Sequence, residues 1–167
     1  MDNEIKIPDN FDDFINSDKS NNDDKKLTIE TKFKNERNDW TNKIKSMSNR
    51  LKIISDVQEL MTDIYTNRQI AVEYYHYLIS ILSKINKEYR SEWTIKYDYY
   101  TYKSQKRFPN EKTKELQILS EISEILQKRE AIDNHSKFIL DTKNTLDNLI
   151  YGIKYRIDIE KIKNGSI

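Results

Sequence analysis

The segment "IKYDYYTYKSQKRF", residues 95–108, places four tyrosines and four basic residues in fourteen positions, with Asp98 as its one acid. Cations that track phosphates and rings that stack on bases are the two elements of single-strand recognition. The segment therefore has the chemistry of a surface for a polyanion that carries flat bases. Its surroundings share the bias. Between Lys84 and Lys114, nine basic residues (Lys84, Lys87, Arg90, Lys96, Lys103, Lys106, Arg107, Lys112, Lys114) oppose four acids (Glu88, Glu92, Asp98, Glu111), a net +5. The competing reading is that the tyrosines close an apolar helix seam, and heptad placement favours this for Tyr100. Arg90, Lys96, Lys103, Lys106 and Arg107 are the expected strand contacts, with Tyr99 and Tyr102 as mixed candidates for stacking.

Other chemistries find less material. The chain has no cysteine, which excludes disulfide scaffolds and thiolate metal sites. Its two glycines, Gly152 and Gly165, cannot build a phosphate-cradling loop. The two histidines lie far apart in sequence. His76 sits among Tyr74, Tyr75 and Tyr77 and reads as part of a packed or interface surface. His135, between Asp133 and Ser136, reads as a residue of a solvated polar face. No catalytic residue, metal ligand or cofactor is expected, and the chain reads as a binder.

The elements that must present this surface follow from composition. The chain has 167 residues, 36% hydrophobic and 34% charged, with only two Gly and two Pro. Few breakers and many charges suit long solvent-washed helices rather than a sheet that turns every ten residues or so. Residues 1–24 hold eight acids against Lys6 and Lys19, a net −6, so the remainder carries +7 of the overall +1. Residues 1–36 read as an acidic tail without stable structure, and residues 37–167 as one all-helical domain. Within the tail, "DNFDDFI" sets Phe11, Phe14 and Ile15 among acids, a short docking motif for a basic groove. No apolar run approaches a membrane span and the acidic N-terminus is unlike a signal peptide, so a soluble cytoplasmic protein is expected.

From Trp40 onward the apolar residues repeat at heptad spacing, which predicts long helices packed at a shallow left-handed angle. One seam runs Trp40, Met47, Ile54, Met61, Arg68, Tyr75, Leu82, Tyr89, Lys96. Its companion runs Ile44, Leu51, Gln58, Tyr65, Val72, Ile79, Asn86, Trp93, Tyr100. The polar intruders Gln58 and Arg68 predict a kink or short connection near "TDIYTNRQ", with helices over about 37–62 and 68–104. Pro109 marks the loop of a hairpin, and a further helix begins near residue 111. There the seam is cleaner: Ile118, Ile125, Ile132, Ile139, Leu146 and Ile153, joined at the helix ends by Ile122, Ile150 and Ile157. Gly152 offers a kink, and Asn164-Gly165 a helix stop. A hairpin of this kind has too little internal core for its apolar stripe, so Ile118, Ile125, Ile132, Ile139, Leu146, Ile150, Ile153 and Ile157 are expected to drive self-association.

Tyr97-Asp98-Tyr99-Tyr100 and the closing "YGIKYRIDIEKIKNG" (151–165) give the chain a resemblance to the phage recombination mediator family typified by UvsY. That family has a basic helical segment ending in a leucine-Asp-Tyr-Tyr motif, a variable loop, a long helix and an Ile-Lys-rich end. Here Tyr97 replaces the leucine, and Ile153, Lys154, Asp158 and Gly165 correspond in the closing segment. The similarity covers residues 65–165. It implies a non-enzymatic mediator of DNA recombination, repair and replication that assembles as a ring-shaped homo-oligomer, a heptamer. Such a mediator binds single-stranded DNA, loosens the single-strand-binding protein and loads a RecA-like recombinase. The family's strand contacts fall on Lys96, while its other basic position is Thr94 here, which leaves Arg90, Lys103 and Arg107 to compensate. The alternative is a structural or adaptor coiled-coil oligomer without nucleic-acid binding. A helical hydrolase or nuclease would need carboxylate clustering that the sequence does not display.

Overall fold

The computed structural model describes residues 29–165, and over these the chain is all-α. Helix α1 spans Ile29–Arg50, α2 Val57–Asp98, α3 Glu111–Glu121 and α4 Ser123–Lys163. A 3₁₀ turn at Ile54–Asp56 precedes α2, and a π-helical turn at Tyr99–Lys103 follows it. The acidic stretch with Phe11, Phe14 and Ile15 lies outside the described residues. Helix α1 starts ahead of residue 37 and already buries Phe33, so the helical domain begins earlier than the composition suggests.

The chain divides into two compact units, one formed by the residues up to His76 together with those from His135, the other by Tyr77–Asn134. In the first, α1 and the opening half of α2 are antiparallel: Tyr74 donates to Glu36 Oε2 at 2.6 Å near one end, and Arg50 pairs with Asp63 near the other. The last part of α4 also runs against α2, with Arg68 Nε 2.5 Å from Asp147 Oδ1 and Arg156 donating to the Lys52 carbonyl at 3.0 Å. Phe33, Trp40 and Met47, each seven residues apart, turn the α1 stripe inward. Leu60, Ile64, Ala71 and Tyr74 do the same for α2, and Ile139, Leu146, Ile150 and Ile153 for α4. Each large side chain fully buried here contributes roughly 1.5–3 kcal/mol over its exposed state.

His135 lies at the Glu36–Tyr74 end of this unit with no solvent exposure, which overturns its reading as a solvated polar residue. Its ring stacks on Phe33 (4.0 Å between centroids) and meets Tyr74 edge-on at 5.6 Å. Both nitrogens are satisfied. Arg37 Nε approaches Nδ1 at 3.4 Å, and because a guanidinium can only donate, Nδ1 accepts. Nε2 therefore carries the proton and donates to Glu36 Oε2 at 2.9 Å.

The helix break falls at residues 51–56, not near "TDIYTNRQ". Helix α2 runs unbroken through Gln58 and Arg68 because neither side chain is stranded. Gln58 is exposed, and Arg68 shares Asp147 with Lys143 (Nζ–Oδ2 2.6 Å). Those cations, Lys143 first, hold the Asp147 carboxyl below its usual range. At the true break, the Ile53 N–H bonds the Arg50 carbonyl at 3.0 Å, tightening the last turn of α1. Arg50 then reaches Asp56 (3.9 Å), Glu59 (3.7 Å) and Asp63, acids of the opening of α2, where negative charge favours a helix start.

The register of α2 also differs from expectation. The buried residues are Leu60, Ile64, Ala71, Tyr74, Leu78, Ile81 and Ile85, one position ahead of the predicted seams; Tyr65 and Ile79 are exposed. Apolar residues come here in adjacent pairs (Leu60-Met61, Ile64-Tyr65, Ala71-Val72, Tyr74-Tyr75, Leu78-Ile79, Ile81-Leu82), so two heptad frames fit equally well. On α3 and α4 the predicted seam holds, but inside the chain. Ile118, Ile132, Ile139, Leu146 and Ile153 are fully buried, Ile150 nearly so, and Ile125 and Ile157 are half-buried. This stripe is used up within one copy, so contacts between copies would have to come from other side chains. Gly152 passes without a kink, and α4 stops at Lys163 before Gly165, whose φ of 68° is the left-handed value glycine accepts.

Burial lowers the His135 pKa from its usual 6.5, against the opposing pull of Glu36. The unfolded chain therefore takes up a proton at a higher pH than the folded chain does. Stability should be full above that usual value of 6.5 and fall as the pH drops through it toward the lower folded pKa. The groups facing the ring are Glu36 and Arg37 from α1 and Tyr74 from α2. Denaturant unfolding at a series of pH values should show this loss, and His135→Gln should flatten it. An unchanged acid slope in that variant would reject the assignment. Ile139→Ala, at the seam centre, should cost about 2–5 kcal/mol in the same assay.

Candidate nucleic-acid interface

The 77–134 unit is an antiparallel hairpin in which the far half of α2 packs against α3 and the first turns of α4. Leu78, Ile81 and Ile85 are buried on one arm, and Ile118, Ile122, Ala131 and Ile132 on the other. The tip is turned by residues 104–110. Ser104 N–H closes the π turn on the Tyr99 carbonyl at 2.8 Å, and Ser104 Oγ accepts the Lys106 N–H at 3.0 Å. Asn110 caps α3, accepting the Thr113 N–H at 2.9 Å, as the sequence led us to expect of a helix starting near residue 111.

A carboxylate clasp holds the two arms together below the tip. Glu121 receives Lys96 Nζ at 2.8 Å, Gln117 Nε2 at 2.9 Å and the Tyr100 hydroxyl. These donors, led by Lys96, bring the Glu121 pKa down to about 2. In return Lys96 is pushed up, and so is the Tyr100 phenol, which loses its hydrogen bond to Glu121 on ionising. A second clasp sits beside it. Lys114 is sunk to 8% exposure, with its ammonium 2.9 Å from Glu111 Oε1, 3.0 Å from Thr101 Oγ1 and 4.0 Å from the centre of the Tyr97 ring. The hydrogen bond with Glu111 is the main reason the Lys114 pKa is raised and the Glu111 pKa lowered.

These clasps sort the predicted contacts. Lys96 is half-buried and spent on Glu121, so the residue expected to lead strand binding is a structural cation. Tyr100 packs edge-on to Phe108 (5.2 Å) and serves the fold, as heptad placement indicated. Lys106 is exposed but tethered, bonding Gln117 Oε1 at 2.9 Å with its ammonium 5.2 Å from the Phe108 ring centre. Arg90, Lys103 and Arg107 are exposed and form no ion pair among the described residues. Tyr99 and Tyr102 are 49% and 79% exposed, and Ile95, one turn before Tyr99, is 56% exposed. Spacings of four and three put Ile95, Tyr99 and Tyr102 on one side of the helix, followed directly by Lys103.

The tip thus offers two open phenol rings and mobile-length cations on a rigidly clasped scaffold. Lys96 is committed to Glu121, while Tyr99 and Tyr102 stay open. The missing signal was Glu121, a helical turn beyond Gln117 and more than twenty residues from Lys96, a pairing that only the hairpin register creates. No group of three or more His, Asp or Glu side chains among the described residues could hold a metal ion. His135 is sealed from solvent, with both ring nitrogens spent inside the fold.

Glu121→Ala removes the carboxylate that Lys96 and Tyr100 share, one on each oxygen. Amide hydrogen exchange should quicken across residues 97–121 and remain unchanged across 139–153. Equal protection in the wild type and the variant would show that the clasp does not hold the tip. No protein-family model, curated protein or solved structure matches this chain, so the geometry of the tip is what its functional reading rests on.

Proposed function

We propose that the chain binds single-stranded DNA through its hairpin tip and acts as a recombination mediator, loading a RecA-like recombinase onto strand covered by single-strand-binding protein. The observation that carries this reading is the open pair Tyr99 and Tyr102, next to Lys103 and followed in the loop by Arg107. Rings of that exposure stack on unpaired bases, which a duplex would hide, while the cations neutralise phosphates on either side. Stacking is indifferent to sequence, as a mediator requires. The affinity of one tip is modest. Repetition in a homo-oligomer, a ring of seven by the family resemblance, raises effective concentration without new contacts, and salt-sensitive binding lets the strand be handed on. No helix among the described residues is long and apolar enough to cross a membrane, and a cytoplasmic setting goes with this role.

The rival reading, a structural or adaptor helical protein, draws on the same clasps. Lys96 and Lys114 are committed to internal carboxylates, which lowers the charge left for a strand.

Fluorescence anisotropy with a labelled single-stranded oligonucleotide across a salt series separates the two. Tyr99→Ala and Tyr102→Ala should each weaken binding by about 1–3 kcal/mol. Lys103→Ala with Arg107→Ala should lower the salt slope by roughly 0.7 per lost phosphate contact, whereas Lys96→Ala should leave it nearly unchanged. Absence of binding at low salt rejects the strand-binding function and leaves the adaptor.

A further inference from the structure

Helix α4 carries in its closing half an exposed stripe that the packing of its unit leaves unused. Asn144, Asn148, Tyr151 and Tyr155 follow at spacings of four, three and four, so they line one side of the helix over about 17 Å. All four are exposed, the two phenols at 67% and 70%. The side-chain amides of Asn144 and Asn148 form no hydrogen bond with another described residue. Lys154 stands beside the rings, exposed, with its ammonium 5.8 Å from the centre of the Tyr151 ring and no ion-pair partner among the described residues. Asp141 and Asp158, both exposed, bound the stripe at its two ends. In a chain that is 34% charged, an open row of two amides and two phenols flanked by a free lysine has three distinct capacities. A phenol ring stacks on a base, an amide both donates to and accepts from a base edge, and an ammonium neutralises a phosphate.

We infer that Asn144, Asn148, Tyr151, Lys154 and Tyr155 form a second binding site for single-stranded nucleic acid, on α4 and in addition to that of the hairpin tip. Unpaired bases bring the free faces and free edges that these side chains address, and in a duplex both are taken up by stacking and by the partner strand. A second copy of the chain is a poorer occupant. Laid along the stripe, it would bury the amides and the Asp158 carboxylate, whose desolvation is costly. Only the two phenols and Ile162, 70% exposed, would supply apolar area against that cost. The inference rests on the reading of the chain as a strand binder and adds a site that the tip does not include.

Anisotropy of a labelled single-stranded oligonucleotide at low salt tests this on the full chain. Tyr151→Ala with Tyr155→Ala should weaken binding about fivefold or more, the loss expected when even one stacked base is given up. The same pair should weaken binding further in a chain that already carries Tyr99→Ala and Tyr102→Ala. Lys154→Ala should lower the salt slope by roughly 0.7. Photocrosslinking of the wild type to an oligonucleotide that carries 5-iodouracil should label the peptide containing residues 144–155, a readout that needs no variant. Sedimentation of the Tyr151, Tyr155 variant should give the wild-type mass. Unchanged affinity in that variant, or crosslinks that avoid residues 144–155, overturn the inference, while the tip reading still stands or falls on Tyr99 and Tyr102. Affinity lost together with a drop in oligomer mass also overturns it, because the stripe is then a contact between copies. A wild-type chain that binds no oligonucleotide overturns both readings.

Discussion

An imidazole can be buried at no exposure only if both of its nitrogens find partners, and His135 meets that condition through two neighbouring residues of α1. Arg37 fills the acceptor nitrogen and Glu36 takes the remaining proton, while the Tyr74 hydroxyl from α2 bonds the same Glu36 oxygen. The unpaired alternative would cost roughly 1–3 kcal/mol per group, a large share of a small domain's stability. One polar knot therefore specifies which turn of α1 faces which turn of α2 and α4. In a chain with a hydrophobic share of only 36%, apolar burial alone leaves that choice loosely determined.

The same economy governs the 77–134 unit, where carboxylates join the buried aliphatic side chains in fastening the arms. Glu121 and Glu111 each draw a lysine out of the solvated pool, and the rings of Tyr97 and Tyr100 are used as packing surfaces. The net charge of a segment is therefore a poor measure of the charge it offers to a partner. Of the basic residues between Lys84 and Lys114, Lys96 and Lys114 are the two most committed to the fold. Among the exposed cations, Lys103 and Arg107 stand beside exposed rings and in the loop, and the proposed strand contacts gather there.

The heptad pattern was informative to different degrees along the chain. On α3 and α4 isoleucine or leucine holds every seventh position from Ile118 to Ile153 without a polar intruder, and Ile118, Ile132, Ile139, Leu146 and Ile153 could be named in advance although Leu119, Leu126 and Leu140 adjoin the seam. On α2 apolar residues stand in adjacent pairs, and a helix face about 100° wide accepts either member. Packing against partners on more than one side selected Leu60, Ile64 and Tyr74 over Met61, Tyr65 and Tyr75. The break between α1 and α2 carries neither Gly nor Pro. Its local signal is Ser55-Asp56 followed by Gln58 and Glu59, a helix-start pattern, whereas the polar residues Gln58 and Arg68 pointed to a break further along the chain.

The sequence by itself determined the all-helical class, the hairpin loop at Pro109, the helix stop at Gly165 and the basic, tyrosine-rich character of the tip. Each of these follows from local rules: backbone preferences, spacing along one helix, or composition within a few turns. Only the tertiary structure decided that His135 is a core residue, that Lys96 belongs to Glu121, and that Tyr99 and Tyr102 stay open while Tyr97 and Tyr100 do not. Those outcomes depend on which residues from distant parts of the chain arrive at the same place. A charge or a ring has no fixed role until its partner across the helix interface is known.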